Sequence, residues 1–400
     1  MSIKLAERVS LMKPSPILML AARAGELRAA GHDVISLSIG EPDWTPYDKI
    51  KDAAIASIRE GKTKYTPAPG IPELRKAIAE QATKDLGLTF EPNQVTVSSG
   101  AKFVLFAALQ AMVNPGDEVL LIAPFWASYT TMVELAGGVP KIAVCKKETD
   151  FKITPAMLKS AIGPKTKAIL INSPSNPTGK IYSAAELKGL AEVLRAYPNV
   201  AVISDDIYNR LCFEQSLAPH LLQVAPDLRD RVICLNGASK SYAMTGWRLG
   251  WALGPKEVIN AMSAYQSQSV SCPNSIAQYA ALEAIKSCDA DVARTVESLK
   301  DRAASITREI EKIPGVFAAK PEGAFYLWID VSAYMGKSLN GKLLKTSDDL
   351  SEALLMDQMV AAVPGSEFGL DGYFRLSFAL SKEKATEAAA RMAAFFKKLV

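Results

Sequence analysis

Five short apolar runs in the middle of the chain, each cut off by polar or glycine-rich residues, restrict its fold more than any other feature. They are QVTVS (94–98), DEVLLI (117–122), TKAILIN (166–172), VAVIS (200–204) and RVICLN (231–236). Strand-length runs separated by helical patterns predict an α/β fold, a mostly parallel central sheet flanked by helices. In open sheets of this kind, ligands bind beyond the carboxyl ends of the strands. The segments found there are SSGAK, APFWASY, SPSNPTGK, DDIY and GASK. They aim Gly100, Trp126, Asn176, Asp205, Tyr208 and Lys240 at one crevice. Asn, Pro and Gly are ordinary turn residues, so SNPTG alone says little. A loop tryptophan, an acidic pair before Ile-Tyr and a lysine among small residues are harder to assign to turns.

The two ends of the chain read differently. Residues 12–45 carry a helical stretch followed by VISLSIGEPDW. Beyond residue 290, helical patterns give way to GAFYLWIDV, VAAVPGSEF and YFRLSFALS, then a last helix. The expected organisation is a large domain over 46–290 and a smaller α+β domain built from 1–45 plus 291–400. The segment 335–349, MGKSLNGKLLKTSDD, reads as a mobile loop.

Composition removes several functions. Net charge is +4 with no dense Lys/Arg block, so no nucleic-acid partner is expected. No apolar stretch approaches the ~18 residues of a membrane helix, and MSIKLAERVS lacks the apolar core of a signal peptide. Five scattered cysteines without a CxxC pair argue against disulfides and zinc, and fit a cytoplasmic protein. With two histidines, His32 and His220, there is little material for a metal site or a Ser–His–Asp relay, so acid–base work falls to Lys, Tyr, Asp or Glu. No G-x-G-x-x-G follows a strand, which disfavours a nicotinamide site. Gly336-Lys337-Ser338 resembles a P-loop tail, but Val331 stands where the first glycine belongs.

A lysine acts as a covalent catalyst when its neutral amine forms a Schiff base with a carbonyl. Pyridoxal phosphate is the aldehyde cofactor that fits the remaining residues, because it is an electron sink that needs a carboxylate at its ring nitrogen. Asp205 supplies that carboxylate, Tyr208 and Asn176 can bond the ring phenolate, and Trp126 can stack on the ring. SSGAKFVLFAALQAM places a helix N-terminus directly after a strand, a setting for phosphate. Arg248 offers a forked partner for the same anion.

The segment Gly237–Gly250 resembles the pyridoxal-phosphate attachment signature of class I/II aminotransferases (fold type I). It has a small residue three before the lysine, another just before it, and Arg then Gly downstream. KYTPAPGIPELR, NSPSNPTGK, SDDIY, GAFY and FRLSFA are similar to the family in the same order, end to end. The resemblance implies that Lys240 is the Schiff-base lysine and carries the proton between substrate Cα and the cofactor. It implies that Asp205, chosen over Asp206 by the three-residue step to Tyr208, keeps the pyridine nitrogen protonated. Tyr208 and Asn176 then contact the phenolate, and Trp126 stacks. The amides of Gly100, Ala101 and Lys102, with Arg248, hold the phosphate. Arg375 grips the substrate α-carboxylate beside Gly40. Tyr65 reaches the phosphate of a neighbouring subunit, which implies a homodimer with shared active sites. One departure is Gly237, where many relatives carry a hydroxyl; either Ser239 takes over or the phosphate has one donor fewer.

KPS near the N-terminus and Lys102 after the phosphate loop resemble the bacterial I-beta aspartate aminotransferase branch. The branch implies that Ser15 and Lys102 meet the distal carboxylate of an acidic substrate, and that L-aspartate and 2-oxoglutarate react in ping-pong fashion. Ile17 replaces a threonine frequent in the branch, and GAKF replaces Gly-Gly-Lys-Gln. These departures leave aromatic acids or prephenate as alternative substrates. A carbon–sulfur lyase or decarboxylase on this fold would use Lys240 equally. A non-catalytic aminotransferase-like regulator would need an N-terminal helix-turn-helix, and the family pattern already begins near Met12.

Overall fold

The computed structural model describes residues 3–12 and 16–400. Its first strand, β1 (Ile35–Ser36), joins the C-terminal part of the molecule. Among the described residues, a central sheet holds β2 (Val95–Ser98), β3 (Glu118–Ala123), β4 (Val139–Val144), β5 (Thr166–Asn172), β6 (Ala201–Asp205), β7 (Val232–Gly237) and β8 (Gly250–Leu253). Their spatial order is β2-β8-β7-β6-β5-β3-β4, and β8 alone runs against its neighbours.

All five expected runs are strands, displaced by no more than one residue at either end. Their continuous hydrophobicity follows from burial on both faces, as in β6, where Val202–Asp205 are all buried. Two strands escaped the sequence reading. β4 is an edge strand that carries Pro140 and Lys141 and leaves Val139, Ile142 and Val144 exposed, so it lacks the buried pattern. β8 has four residues and lies within a stretch rich in chemistry.

The β2-β8-β7 side of the sheet is built around Gly250. It stands opposite Ser98 of β2 on one side and Gly237 of β7 on the other. A Cβ there would collide with the Ala101 amide nitrogen and come within 2.7 Å of the Gly100 carbonyl carbon. Glycine therefore lets the sheet touch the first turn of the helix Ala101–Met112, whose cap Gly100 has φ 88°. That helix is held down by its buried residues Val104, Leu105, Ala108 and Leu109.

The C-terminal part contains β9 (Phe317–Ala319), β10 (Tyr326–Asp330), β11 (Lys337–Leu339), β12 (Lys342–Leu344), β13 (Val360–Ala361), β14 (Val363–Pro364) and β15 (Tyr373–Ser377). An antiparallel sheet runs β14-β15-β10-β9, while β1 pairs in parallel with β13. The helix Asp289–Ile310 leads into this region. Its buried Val292, Val296, Leu299, Ala303, Ile306 and Ile310 keep the spacing of one helical face.

The segment 335–349 is not the expected loop. β11 and β12 form a hairpin whose turn is Asn340-Gly341, both at positive φ (48° and 81°). Asn-Gly is the two-residue turn that matches the twist of paired strands, so the signal was present in the sequence. Ser338 N–H donates to the Val400 carbonyl (2.8 Å), and Thr346 caps the following helix through Asp349 N–H. No helix among the described residues is long and apolar enough to cross a membrane.

Replacing Gly250 by alanine should force the helix start off the sheet. An expected loss of about 2–3 kcal/mol of stability would be read from urea unfolding, with Gly246→Ala, where no atom stands within 4 Å of the added Cβ, as the tolerant control.

Candidate active site

The carboxyl ends of the parallel strands open onto one cavity of about 400 Å³. All the expected site residues line it except three. Gly100 stands just behind the wall, where an added Cβ would run into the Arg248 guanidinium. Tyr65 is 90 % exposed and outside the cavity of the single chain. Ser15 lies outside the described residues.

Lys240 follows β7 and reaches back across the cavity, donating from Nζ to the Gly40 carbonyl at 2.6 Å. Desolvation, then the charge of Arg375 and to a smaller degree that of Arg248, pushes its pKa down to about 8, against Glu41 and Asp205. A lysine held this way keeps a minority of its amine neutral near physiological pH, a far larger share than an ordinary lysine would.

Asp205 ends β6 with its side chain turned into the cavity. Burial raises its pKa to about 6, opposed by an O–H from Tyr129 to Oδ2 (2.6 Å) and by Ile207 N–H to Oδ1 (3.3 Å). Asp206 points to the other face of the sheet, as the strand period requires. There it accepts from Ser204 Oγ (2.7 Å) and faces His220 Nε2 at 3.4 Å. Leu222 N–H donates to His220 Nδ1 (3.1 Å), which leaves the ring proton on Nε2. The cluster of Asp206, His220 and Cys234 is thereby a hydrogen-bonded group rather than a set of free metal ligands.

The opposite wall is cationic. Arg375, on β15, is 2 % exposed and pairs with no carboxylate among the described residues. Its Nη1 donates to Asn176 Oδ1 (3.1 Å), its Nη2 to the Ser38 carbonyl (2.5 Å), and its Nε has no partner. The guanidinium lies over the rings of Tyr326 (4.7 Å) and Phe368 (5.0 Å), which fix its plane. A buried cation without a counter-charge is costly unless a ligand supplies one. Tyr326 also shares a 2.8 Å hydrogen bond with Tyr208, whose pKa burial holds well above the ordinary value.

The third wall is the helix start. First-turn amides have no acceptor within their own helix, so those of Ala101 and Lys102 are available to an anion beside Arg248. Arg248 is anchored by Nη1 to the Thr245 carbonyl (2.9 Å) at a backbone φ of 54°. Trp126 forms one side, its ring perpendicular to that of Tyr129, and Lys102 Nζ sits 5.0 Å from its ring. Partial desolvation, then the Arg248 charge, lowers the Lys102 pKa.

Tyr129, Asn172, Tyr326 and Glu41 also line the cavity without having been singled out. Tyr129 lies three residues after Trp126, and Tyr326 closes the quoted motif GAFY, so both sat inside segments already marked. Asn172 ends β5 and spans to the Asp205 carbonyl (2.8 Å) and the Asn176 amide (2.8 Å), a role visible only in three dimensions.

The chain matches the family model "Aminotransferase class I and II" over residues 32–392. It is 46% identical over 392 residues to an aspartate/prephenate aminotransferase of Cereibacter sphaeroides, covering 98% of each chain. The crystal structure of the aspartate aminotransferase from Rhizobium meliloti superposes with a TM-score of 0.96 at 40% identity over all of both chains. The Thermus thermophilus aspartate aminotransferase with maleate gives 0.91 at 38% identity, over 98% of this chain and 100% of that one. The chain belongs to the class I and II aminotransferases, enzymes that depend on pyridoxal phosphate. The cavity fits that group: it offers a desolvated amine, a buried carboxylate, an orphaned Arg375 Nε and a glycine-lined helix start.

The depressed Lys240 pKa sets a pH dependence. Uptake of pyridoxal phosphate by cofactor-free protein should accelerate with pH and level off above about 8, where an ordinary lysine (10.5) would still be gaining. Stopped-flow absorbance at a series of pH values checks this. Because the unfolded lysine holds its proton up to 10.5, the same group makes the cofactor-free chain more stable as pH rises from about 8 towards that value.

Proposed function

We propose that this enzyme moves the amino group of L-aspartate to 2-oxoglutarate in two half-reactions at one site. The observation that carries the reading is the unpaired, buried Arg375 in the same cavity as the desolvated Lys240 amine. An α-carboxylate taken by Arg375 keeps an amino acid at the wall that Lys240 faces. Pyridoxal phosphate, when bound, supplies a carbonyl for amines and an electron sink for charge at the substrate Cα.

The chain's own residues do the rest. Lys240 holds the cofactor at rest and moves the proton on and off the substrate Cα. Asp205 holds a proton at the ring nitrogen. Tyr208 donates to the ring oxygen, and so does Asn176 Nδ2, since Asn176 Oδ1 is occupied by Arg375. Trp126 covers the ring. The amides of Gly100, Ala101 and Lys102, with Ser239 and Arg248, hold the phosphate, and Gly40 borders the substrate.

Lys102, at the cavity mouth, supports an acidic substrate because it is a compact cation apart from Arg375; Ser15 is proposed as its companion. The relatives named for aspartate, and the Thermus thermophilus one solved with the dicarboxylate maleate, support the same choice. A second reading, aromatic amino acids or prephenate as substrates, is supported by the relative named for both aspartate and prephenate. The exposed Tyr65 supports a homodimer in which it completes the partner's phosphate site. The division into 46–290 and 1–45 plus 291–400, and a cytoplasmic location, belong to the same proposal.

The visible absorption band of the bound cofactor should disappear on adding L-aspartate and return with 2-oxoglutarate. A band indifferent to aspartate removes the substrate assignment. Lys240→Ala should lower turnover by about 10²–10⁴-fold while Arg375 and the phosphate cradle stay intact, so a variant with normal turnover removes Lys240 from the chemistry. Lys102→Ala should raise KM for aspartate by roughly tenfold and leave that for alanine nearly unchanged; equal rises for both would assign Lys102 to the phosphate alone.

A further inference from the structure

We propose that Tyr129 is a positioning residue for the cofactor's ring nitrogen: its phenol, donating to Asp205 Oδ2, keeps that carboxylate ionised and aimed into the cavity. The inference rests on the role given to Asp205 above.

Tyr129 lies one turn beyond Trp126 in the helix Ser128–Leu135, with its backbone N–H on the Trp126 carbonyl (3.0 Å). The ring is buried, perpendicular to Trp126 (centroids 5.5 Å apart) and tilted against Phe125 (6.5 Å). Packing from two aromatic neighbours leaves the phenol one direction, and its oxygen sits 2.6 Å from Asp205 Oδ2. The other carboxylate oxygen has only the longer bond from Ile207 N–H, at 3.3 Å. Lys240 donates to the Gly40 carbonyl and acts on Asp205 through its charge rather than through a hydrogen bond.

Buried carboxylates recover their protons unless donors favour the charged form. The groups that act on Asp205 are Tyr129 and Lys240, which favour its charge, and Asp206, which opposes it; Tyr208 stands close by. Burial has already brought Asp205 to about 6, and the Tyr129 bond is the strongest opposing influence. Tyr129 remains a donor at any working pH, because burial and Asp205 hold its own pKa well above the ordinary value. Without the phenol, Oδ2 would be desolvated and unpaired. Asp205 would then be largely neutral near pH 7 and unable to hold a proton on a ring nitrogen.

Tyr129→Phe tests this, since it keeps the ring against Trp126 and Phe125 and deletes only the O–H. The full-length protein, stripped of cofactor, is titrated with pyridoxal phosphate over the acid and neutral range, for both wild type and variant. The expected result is binding weakened about tenfold near neutrality, with the acid midpoint of the affinity profile moved upward. The analogue with C–H in place of the ring nitrogen should bind both proteins alike, a pattern that a purely structural defect would not give. Unchanged affinity and midpoint, or equal weakening for the analogue, overturns the proposal. If neither protein binds pyridoxal phosphate, the cofactor role of Asp205 falls and this inference with it, an outcome distinct from equal binding by both. Should phenylalanine impair folding, 3-fluorotyrosine at 129 replaces it: its more acidic phenol should move the midpoint downward, and an unmoved midpoint overturns the proposal equally.

Discussion

The site exists because backbone can touch backbone at Gly250. β2 and β7 both end beside that residue, and the helix that begins at Ala101 lies directly on it. The positive end of a helix, a strand end bearing Lys240 and the guanidinium of Arg248 are therefore packed around one small volume. Side chains at this point would separate the three. Next to β7 the sheet order places β6 and then β5, with Asp205 and Asn172 in register, so the acidic and amide groups inherit their spacing from the same ladder.

The cavity is electrostatically unfinished. Arg375, Arg248, Lys240 and Lys102 face a space in which Asp205 and Glu41 are the acids. The two buried groups of opposite sign are each displaced from their ordinary behaviour, Lys240 towards neutrality and Asp205 towards protonation. Both shifts come chiefly from desolvation; added negative charge draws Lys240 back towards its charged form, whereas Asp205 needs a cationic partner. A doubly anionic phosphate and an α-carboxylate are the complements that this arrangement lacks.

Much of this was legible in the sequence because it is local or periodic. Strand ends carry their residue types in order, and continuous apolar runs report burial on both faces. Asp205 could be preferred to Asp206 by its step to Tyr208, and the alternation of β6 gives the physical reason. What was not legible depends on contacts across the chain. Arg375 was found by resemblance, but its pairing with Asn176 and the Ser38 carbonyl joins residues about two hundred or more positions apart. β4 was missed because an edge strand need not hide its side chains. The hairpin β11–β12 differs: the Lys, Ser and Gly content of the segment resembles that of a loop, and the Asn-Gly step alone decides the turn.

The segment from Leu37 to Glu41 is stitched to the interior by groups that also have other work. Ser377 N–H holds the Leu37 carbonyl (2.7 Å), Arg375 holds that of Ser38, Lys240 holds that of Gly40, and Thr245 Oγ1 bonds Glu41. Two of these four fasteners are the cations that face the cavity. A ligand that engages them competes with the protein's own carbonyl oxygens, so its measured affinity is a difference between two sets of bonds rather than the strength of one. The N-terminal segment is thus fastened by the same side chains that a ligand would meet, so its position and the filling of the cavity are linked.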